Sequence, residues 1–497
     1  MNRLDQRKIY HEPHEPARTE EKGFFSTNIR ELTRTGRRCR STSSWCSCGS
    51  WLIFVLIFLI NFQAYAQEAS RPDTIKYGTE TEIAALIQTL RNEKTDLFDD
   101  ELIELAQVSR NTKVLTGIFG FFGDREKSGL QERAIKVLKQ REDEANETVL
   151  SALDYLGKMK TAEAVSVIME LLETEEKRFL SAGFRAIGGA CSSDKKLADE
   201  TAQFLVDYYN DREPGNDNRS IIINAIGATG SSVGVEFLME IATNPDERFP
   251  LRIAALGALS KIGDPKGLDA IINCVSANDQ NVRSAAVAAL GPFQGSAAES
   301  AILDAFRDSY YRTRIAASQA SRDRKLAAAV PYLKFRAERD DVPSVKEEAI
   351  RALGAIANDE AITVLDGLFS ERKNTDRVRS LAAEMLMKNT GGKNFSKLLV
   401  ELDEAKRKNQ TSLYNAFLKV VGETVVENDK SEIEGAARRF MSTGGIMEKL
   451  YALDMALNNK LTGLKEEILS LTKERNESLS RKARRTAENL GIEIPVN

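Results

Sequence analysis

The chain has 497 residues, of which 42% are hydrophobic and 29% charged, with 11 prolines and 31 glycines. This composition excludes disordered and collagen-like classes of protein. The formal net charge is −4, from 70 basic and 74 acidic residues, and this balance argues against a general nucleic-acid binder, which must neutralise phosphates with excess cations.

The first 66 residues predict a leader that is not part of the fold. The apolar run from Trp51 to Phe62 follows a basic stretch and precedes Ala64 and Ala66, the small residues that signal peptidase requires. Twelve apolar residues span about 18 Å as a helix, short of the roughly 30 Å hydrocarbon core of a bilayer. We therefore expect export to the periplasm or beyond, with cleavage after Ala66. A membrane anchor formed by residues 51–62 is the alternative.

Removing the leader changes the chemistry that is available. It takes away both histidines, both tryptophans and three of the five cysteines, and it leaves 60 basic (70 minus 10) and 68 acidic (74 minus 6) residues. The two remaining cysteines, Cys191 and Cys274, are too few for a disulfide framework and are predicted to be buried. Because no CxxC pair, HExxH motif or phosphate-binding glycine loop is present, no metal or cofactor is expected.

A helical stripe of apolar residues recurs along the chain. The segment LRIAALGALSKIGD, from Leu251 to Asp264, is repeated in pattern from Val282 to Gly295 and from Val345 to Asn358. The position of Leu259 in this stripe defines thirteen anchors that span 400 residues in twelve steps, so the mean period is near 33 residues. The predicted anchors are Leu90, Phe119, Leu156, Ile187, Ile226, Leu259, Leu290, Ser321, Leu353, Leu386, Val421, Leu457 and Leu490.

Each anchor is followed by a short turn and a second apolar stripe, so each unit predicts a helical hairpin. A single hairpin cannot bury its apolar face, and neighbours must stack into one continuous core. The sequence therefore predicts an all-α protein, an α-solenoid of about thirteen hairpins over residues 67–497, clearest over residues 219–386.

The turn between the two helices of a hairpin contains Gly263, Asp264 and Pro265 in one unit. We expect the glycine to end the first helix in a left-handed conformation and the aspartate to start the second helix. The segment from Gly120 to Asp124 is predicted to occupy the same place in its own unit. A metal or phosphate site at this turn is disfavoured because other units carry different residues there. The acidic loop from Asp211 to Asn218 has oxygens for Ca²⁺ but lacks the order of an EF-hand loop, which favours a solvated turn.

These units resemble the HEAT-like repeats found in phycobilisome lyases and many bacterial proteins, through the pattern V-R-x-x-A-x-x-A-L-G-x-I-G-D. The resemblance implies a ladder between repeats, made by an aspartate six residues before the arginine. The matching positions are Asp246 with Arg252, Asp308 with Arg314 and Asp340 with Lys346 for this spacing, and Val282-Arg283 and Val378-Arg379 for the dipeptide.

A stack of hairpins offers a large surface and no central pocket, which predicts a non-catalytic scaffold that binds protein partners. An enzyme or accessory lyase that uses the concave groove is the alternative, and a binder of nucleic acid or another anionic polymer through a local basic patch is the third hypothesis. HEAT-repeat proteins that resemble deoxyhypusine hydroxylase hold two irons with His–Glu pairs, and the chain has no histidine after its leader. A shared fold does not carry the lyase chemistry.

One unit departs from the pattern and supplies the predicted site. Ser321 replaces the large apolar anchor, and the segment from Arg307 to Arg339 has nine basic and three acidic residues. In the second helix of this unit, one apolar stripe is predicted to contain Leu326, Val330, Leu333 and Ala337. A second stripe, about 120° away around the helix, is predicted to contain Lys325, Tyr332, Arg336 and Arg339. The predicted partner-binding residues are Lys325, Tyr332, Arg336, Arg339, Tyr310 and Tyr311. We expect an acidic protein partner, with a solvated basic face as the alternative. The basic run from Ser480 to Arg485 predicts a charged terminal helix.

Overall fold

The computed structural model describes residues 71–212 and 214–495. The predicted leader, its apolar run and its cleavage site lie outside these residues. The described part divides into twenty-six α-helices and contains no β-strand. The odd-numbered helices are α1 (Arg71–Tyr77), α3 (Asp99–Val108), α5 (Gln131–Lys139), α7 (Val165–Glu173), α9 (Lys195–Arg212), α11 (Val235–Thr243), α13 (Leu268–Val275), α15 (Ser296–Ala305), α17 (Val330–Arg339), α19 (Asp359–Ser370), α21 (Phe395–Arg407), α23 (Ser431–Thr443) and α25 (Lys465–Leu471). The even-numbered helices are α2 (Glu80–Glu93), α4 (Thr112–Asp124), α6 (Asn146–Lys158), α8 (Lys177–Ala190), α10 (Asn216–Thr229), α12 (Phe249–Ile262), α14 (Gln280–Ala289), α16 (Tyr311–Asp323), α18 (Pro343–Ile356), α20 (Asp376–Asn389), α22 (Thr411–Glu423), α24 (Ile446–Asn459) and α26 (Glu477–Asn489).

The helices form two layers. Each even-numbered helix packs against the next even-numbered helix, from α2 through to α26, and several odd-numbered helices pack against each other in the same way. Across the two layers, each odd-numbered helix packs against the even-numbered helix that follows it, from α1 with α2 to α25 with α26. This arrangement is an α-solenoid, and the predicted fold class is confirmed. Thirteen such pairs make up the described part of the stack.

Helix α12 shows why the repeated pattern folds in this way. Leu251, Ala255 and Leu259 recur at helical spacing on one face, and all three are buried in the continuous core. Small side chains at neighbouring positions allow the even-numbered helices to approach closely. A Cβ added to Gly227 of α10 would lie 2.7 Å from the Cα of Ala258, a distance that real Cβ atoms do not show. Helices α10 and α12 are therefore in backbone-to-backbone contact at this point.

The turn after α12 has the geometry that its sequence predicts. Gly263 adopts a left-handed conformation with φ of 70°, and its N–H donates to the Leu259 carbonyl at 2.9 Å. The Asp264 side chain accepts a hydrogen bond from the Lys266 N–H at 2.9 Å, at the start of a short 3₁₀ helix, Pro265–Gly267. The prediction that these residues form a turn is confirmed. Residues Gly120 to Asp124 lie inside α4 instead, so that part of the prediction is wrong.

Left-handed residues also fix the register of the repeats. In nine units, the residue four positions after a buried anchor has a positive φ. The nine pairs are Leu90 and Lys94, Phe122 and Glu126, Leu156 and Lys160, Ile226 and Gly230, Leu259 and Gly263, Ser321 and Lys325, Leu353 and Ala357, Ala456 and Lys460, and Ala487 and Gly491. Three anchors are thus shifted from their predicted positions, to Phe122 from Phe119, to Ala456 from Leu457 and to Ala487 from Leu490. In these units several apolar residues compete for the position, and only the turn distinguishes them.

The ends and the cysteines agree with the sequence. The run from Ser480 to Arg485 lies in α26, where Ala483 is buried while Arg484 and Arg485 are exposed, as predicted for a charged terminal helix. Cys191 and Cys274 are buried and free, also as predicted. In the part of the chain that the structure describes, no helix is both long and apolar enough to cross a bilayer.

Candidate functional site

The predicted site residues occupy three different places. Tyr310 and Tyr311 lie at the start of α16, where the Tyr310 hydroxyl is 3.2 Å from Asn281 Oδ1 and the Tyr311 hydroxyl accepts a hydrogen bond from Arg312 at 3.1 Å. Their rings contact each other edge to face, 5.3 Å apart. These two tyrosines therefore form a separate cluster on the even-numbered layer.

Lys325 is not on the second helix of its unit. It occupies the left-handed position of the turn after α16, with φ of 49°, and its side chain is exposed. A 3₁₀ segment, Ala327–Ala329, intervenes before α17 begins at Val330. The predicted stripe that joined Lys325 to α17 is therefore wrong, because the helix starts five residues later than the pattern suggested.

Tyr332, Arg336 and Arg339 do lie on α17. Val330, Leu333 and Ala337 form the buried stripe of this helix, as predicted. Leu326 is also buried, although it precedes the helix. Tyr332 is half-buried and packs against the edge of this core, Arg336 is also half-buried, and Arg339 is exposed.

A groove between α15 and α17 brings aromatic rings and guanidinium groups together. The rings of Phe306 and Tyr332 are stacked, with centroids 5.6 Å apart and an interplanar angle of 26°. The Arg307 guanidinium lies 5.4 Å from the centroid of Tyr332, and its Nη2 is 3.5 Å from the tyrosine hydroxyl. Arg307 also pairs with Asp304 at 2.8 Å. The two stacked rings therefore form an apolar surface, and the Arg307 guanidinium lies at its edge.

Phe335 forms the other side of the groove. Its side chain is 51% exposed, although phenylalanine is usually buried. The Arg336 guanidinium lies 5.2 Å from the centroid of the Phe335 ring. Together with Pro331, these residues enclose about 380 Å³. We call this feature, lined by Phe306, Arg307, Pro331, Tyr332, Phe335 and Arg336, the arginine–aromatic groove.

Ion pairs between neighbouring units form a ladder that connects the groove to the core. Arg283 pairs with Asp308 at 2.7 Å, and Arg314 pairs with Asp340 at 2.8 Å. Arg336 joins the second pair, 3.3 Å from the same Asp340. Burial opposes ionisation of Asp340, but the hydrogen bonds from Arg314 and from the Val342 N–H outweigh it and hold the pKa of Asp340 below its ordinary value. One guanidinium of the groove is therefore tied to the core.

The ladder joins neighbouring units, as the family resemblance implied. The carboxylate of Asp308 binds Arg283 of the preceding unit, while Arg314, six residues after Asp308, binds its backbone carbonyl at 3.1 Å. Lys346 donates to the Glu338 carbonyl at 2.9 Å and leaves Asp340 to Arg314. The other predicted position, Asp246, is exposed and forms no ion pair with Arg252 within the described residues.

Several cations of the predicted basic segment have acidic partners outside it. Arg314, Arg322 and Arg324 pair with Asp340, Glu348 and Glu299, respectively. Within the part that the structure describes, Lys325, Lys334 and Arg339 make no ion pair, and all three are exposed. The excess of positive charge is therefore smaller than the sequence window suggested, because the partners lie outside it.

Helix α16 contributes polar side chains to the core. Ser321 is fully buried at its anchor position, and its hydroxyl has no hydrogen-bond partner in the described structure. The buried hydroxyl of Thr313, on the same helix, is also without a partner there. The predicted loss of a large apolar anchor is confirmed, and two unsatisfied hydroxyl groups accompany it.

Of the six residues that line the groove, the sequence analysis named only Tyr332 and Arg336, and it missed Phe306, Arg307, Pro331 and Phe335. Phe306 follows the end of α15 and reaches Tyr332 from the neighbouring unit, which no pattern within one unit predicts. Phe335 could have been found, because it lies three residues after Tyr332 and therefore on the same helical face.

Comparison with known proteins identifies the repeats. The model of the family described as spirochaete HEAT repeat protein matches residues 75–486, which is most of the chain. The chain belongs to this family. The predicted resemblance to HEAT-like repeats is confirmed, and the HEAT-repeat solenoid is a fold typical of protein-binding scaffolds. No curated protein matches the sequence.

Several solved structures are similar to this HEAT-repeat protein. Kap121p bound to Ste12p matches at 12% identity over 84% of this chain and 52% of that chain, with a TM-score of 0.43. Kap95p, from a structure with RanGDP, matches at 12% identity over 78% and 60%, with a TM-score of 0.48. Human deoxyhypusine hydroxylase in complex with glycerol matches at 17% identity over 52% and 97%, with a TM-score of 0.23. The chain spans about half the length of the Kap121p chain.

Proposed function

We propose that this HEAT-repeat protein is a non-catalytic scaffold of a bacterial cell envelope, and that it binds an acidic protein partner in the arginine–aromatic groove. The observation that carries the proposal is the half-exposed ring of Phe335 beside the guanidinium of Arg336. Aromatic residues and arginine are the residue types enriched at the energetic centres of protein interfaces. The Phe335 ring is half-exposed and lies in a groove lined by arginines, so it fits such a centre.

The charges of the groove define the kind of partner. Arg307 and Arg336 flank its apolar surface, and Arg339 lies exposed on the next turn of α17. A segment that places an apolar or aromatic side chain against Phe335 and Tyr332, with an aspartate or glutamate beside it, would complement both features. The residues that line the groove include no carboxylate, thiol or imidazole. This lining supports binding in preference to the enzyme or accessory-lyase alternative.

The proposed location rests on the N-terminal sequence. The apolar run from Trp51 to Phe62 and the following Ala64 and Ala66 support export and cleavage. Sequencing the N-terminus of the protein from its native cells should give Gln67 as the first residue. A product that retains residues 51–62 would instead indicate a membrane anchor and overturn the cleavage.

The docking proposal is tested with two exposed phenylalanines. A photo-crosslinking amino acid at position 335 should capture a partner from the native envelope fraction, whereas the same amino acid at position 249 should not. Phe249, at the start of α12, is 49% exposed and is therefore a matched control. With the captured partner in hand, Phe335→Ala should weaken its affinity by about tenfold or more, as expected for a residue at the centre of an interface. Equal effects of Phe335→Ala and Phe249→Ala would contradict docking in the groove.

A further inference from the structure

A second cleft, outside the groove, is built around the buried guanidinium of Arg252. The side chain of this residue is 8% exposed, and its Nε donates to the Ala242 carbonyl at 2.9 Å. Its guanidinium contacts the Cys274 thiol but forms no ion pair with a carboxylate among the described residues. The cleft encloses about 350 Å³ between the ends of α11 and α13 and the turn before α14. Its other lining residues are Thr243, Pro245, Asn273, Cys274, Ser276, Ala277, Asn278 and Asp279.

Arginines at the same position in three other units each bind a carboxylate. Arg283 binds Asp308 at 2.7 Å, Arg314 binds Asp340 at 2.8 Å, and Arg379 binds Glu401 at 2.6 Å. Arg379 and Arg252 share a further contact, because the Nε of each donates at 2.9 Å to the carbonyl ten residues earlier. Arg219 also occupies this position, but its Nε donates to the Pro214 carbonyl at 3.1 Å and it forms no ion pair among the described residues. An arginine at this position therefore holds a carboxylate in three of the four other units that have one.

The carboxylate is missing at Arg252 at all three spacings that the other units use. Glu401 lies 22 residues after Arg379, and the residue 22 positions after Arg252 is Cys274. Asp308 lies 25 residues after Arg283, and the residue 25 positions after Arg252 is Ala277. Asp340 lies 26 residues after Arg314, and the residue 26 positions after Arg252 is Asn278. None of these three residues carries a negative charge. The ladder therefore has a gap at Arg252, and the gap coincides with an open cleft.

Two groups in the cleft could be expected to compensate for the missing carboxylate, and neither does. Asp279 lines the cleft, but its Oδ1 accepts hydrogen bonds from the N–H groups of Asn281 and Val282, so it caps α14. The Cys274 thiol donates to the Ala242 carbonyl at 3.3 Å. Burial raises the pKa of this thiol, although the nearby Arg252 opposes the rise, so the thiol stays neutral near pH 7.

We infer that Arg252 is a binding site for a carboxylate of a partner protein, presented by an aspartate or glutamate side chain or by a chain end. A guanidinium remains charged at all physiological pH values, and its planar N–H groups match the two oxygens of a carboxylate. The chain itself pairs three of the equivalent arginines with carboxylates, which favours this ligand over other anions. The inference does not depend on docking in the arginine–aromatic groove, because the two sites share no residue.

The test follows the side-chain Nε–H resonances of arginine in protein labelled with ¹⁵N-arginine. The probes are N-acetylglycine, which has the carboxylate of a chain end, N-acetyl-aspartate amide, which has a side-chain carboxylate, and inorganic phosphate. Either carboxylate should shift the Arg252 resonance saturably in the millimolar range, the affinity expected for a single small contact. The Arg283 resonance should not move, because Asp308 already occupies that guanidinium. The two carboxylate probes then distinguish a chain end from a side chain.

Three variants make the test decisive. Cys274→Glu and, as a second version if that protein does not fold, Ala277→Asp supply the missing carboxylate within the chain and should weaken probe binding at Arg252 at least tenfold. Asp308→Ala opens the equivalent site and should make Arg283 respond to the same probes. The inference is overturned if Arg252 shows no saturable shift, if phosphate alone binds, or if all arginines shift together.

Discussion

Arg314 and Asp340 form a buried ion pair with two hydrogen bonds, in which Nε and Nη2 of the arginine each lie 2.8 Å from a carboxylate oxygen. The same carboxylate accepts the Val342 N–H at 3.0 Å at the start of the next unit. The pair therefore links the helix of one unit to the turn of the next. Removing one partner from a buried pair leaves an uncompensated charge, which typically costs about 3–5 kcal/mol.

Asp340→Asn should destabilise the protein most at neutral pH. The pKa of Asp340 is lowered in the folded state, so its contribution is present above the unfolded pKa, about 3.9, and is lost as the pH falls through the lower folded value. We expect Asp340→Asn to cost about 3 kcal/mol or more at pH 7, and less at pH 3, because pH 3 lies below the unfolded pKa and part of this contribution is already lost there. Urea unfolding at the two pH values measures the difference.

The neighbouring aspartate is a matched control for this change. Asp341 also pairs with Arg314, at 3.2 Å, but its side chain is 89% exposed. Because exposed ion pairs contribute little, Asp341→Asn should change the free energy of unfolding by no more than about 0.5 kcal/mol. Equal effects of the two substitutions would contradict the role assigned to burial.

Reversing the two arginines of α17 should have different effects on stability. Arg336→Glu would place a second carboxylate beside the buried Asp340, and we expect a loss of about 1–3 kcal/mol. Arg339→Glu should be neutral within about 0.5 kcal/mol, since Arg339 is exposed and forms no ion pair within the described residues. Melting temperatures of the two variants would show the difference. A neutral Arg336→Glu protein would mean that this arginine is not tied to the ladder.

Removing the hydroxyl of Ser321 should stabilise α16. A buried polar group without a partner costs about 1–3 kcal/mol, and Ser321→Ala removes that cost. Ser318 on the same helix donates to the Arg314 carbonyl at 3.0 Å, so Ser318→Ala loses a hydrogen bond and is the control. Hydrogen exchange of the α16 amides should slow in the first variant relative to the second. Faster exchange in Ser321→Ala would show that the hydroxyl is satisfied.

Two glycines on neighbouring helices should respond oppositely to alanine. Gly227→Ala would force a Cβ to within 2.7 Å of the Ala258 backbone, and we expect a loss of about 1–3 kcal/mol. Gly257, in the middle of α12, has open space at the Cβ position, and Gly257→Ala should gain about 0.5–1 kcal/mol by restricting the unfolded chain. Thermal unfolding of both variants tests the close packing of the even-numbered layer. A stable Gly227→Ala protein would contradict it.

The solenoid could be predicted because its signal is repeated along the whole chain. The turn at Gly263 was equally clear, since glycine, aspartate and proline each have a defined place in such a turn. The predicted register was wrong where several apolar residues lie close together in the sequence, as at Phe121 and Phe122 of α4, because more than one of them can then be the buried anchor. The left-handed backbone conformation of Lys325 was also not predicted, because residues other than glycine rarely adopt it and the sequence pattern is compatible with a continuing helix.

The site was only partly predictable, for a reason of distance along the chain. Arg322 and Arg324 looked like free cations because Glu348 and Glu299, which neutralise them, lie 26 and 25 residues away. Phe306 likewise reaches Tyr332 across a unit boundary. The sequence of one repeat gives the number of its charged and aromatic residues correctly, but it cannot show which of them contact residues of the neighbouring repeat.

The strict pairing of neighbouring units has a consequence for how the chain folds. In the described residues, helices that share an extensive contact are never more than two helices apart in the sequence. Contacts of such short range favour fast folding, because little chain entropy is lost before each contact forms. Each pair of helices can therefore fold onto the preceding pair, in the order of the sequence, before the C-terminal helices have formed. A protein delivered through a narrow pore, one segment at a time, would gain its stability in the same order in which it is delivered.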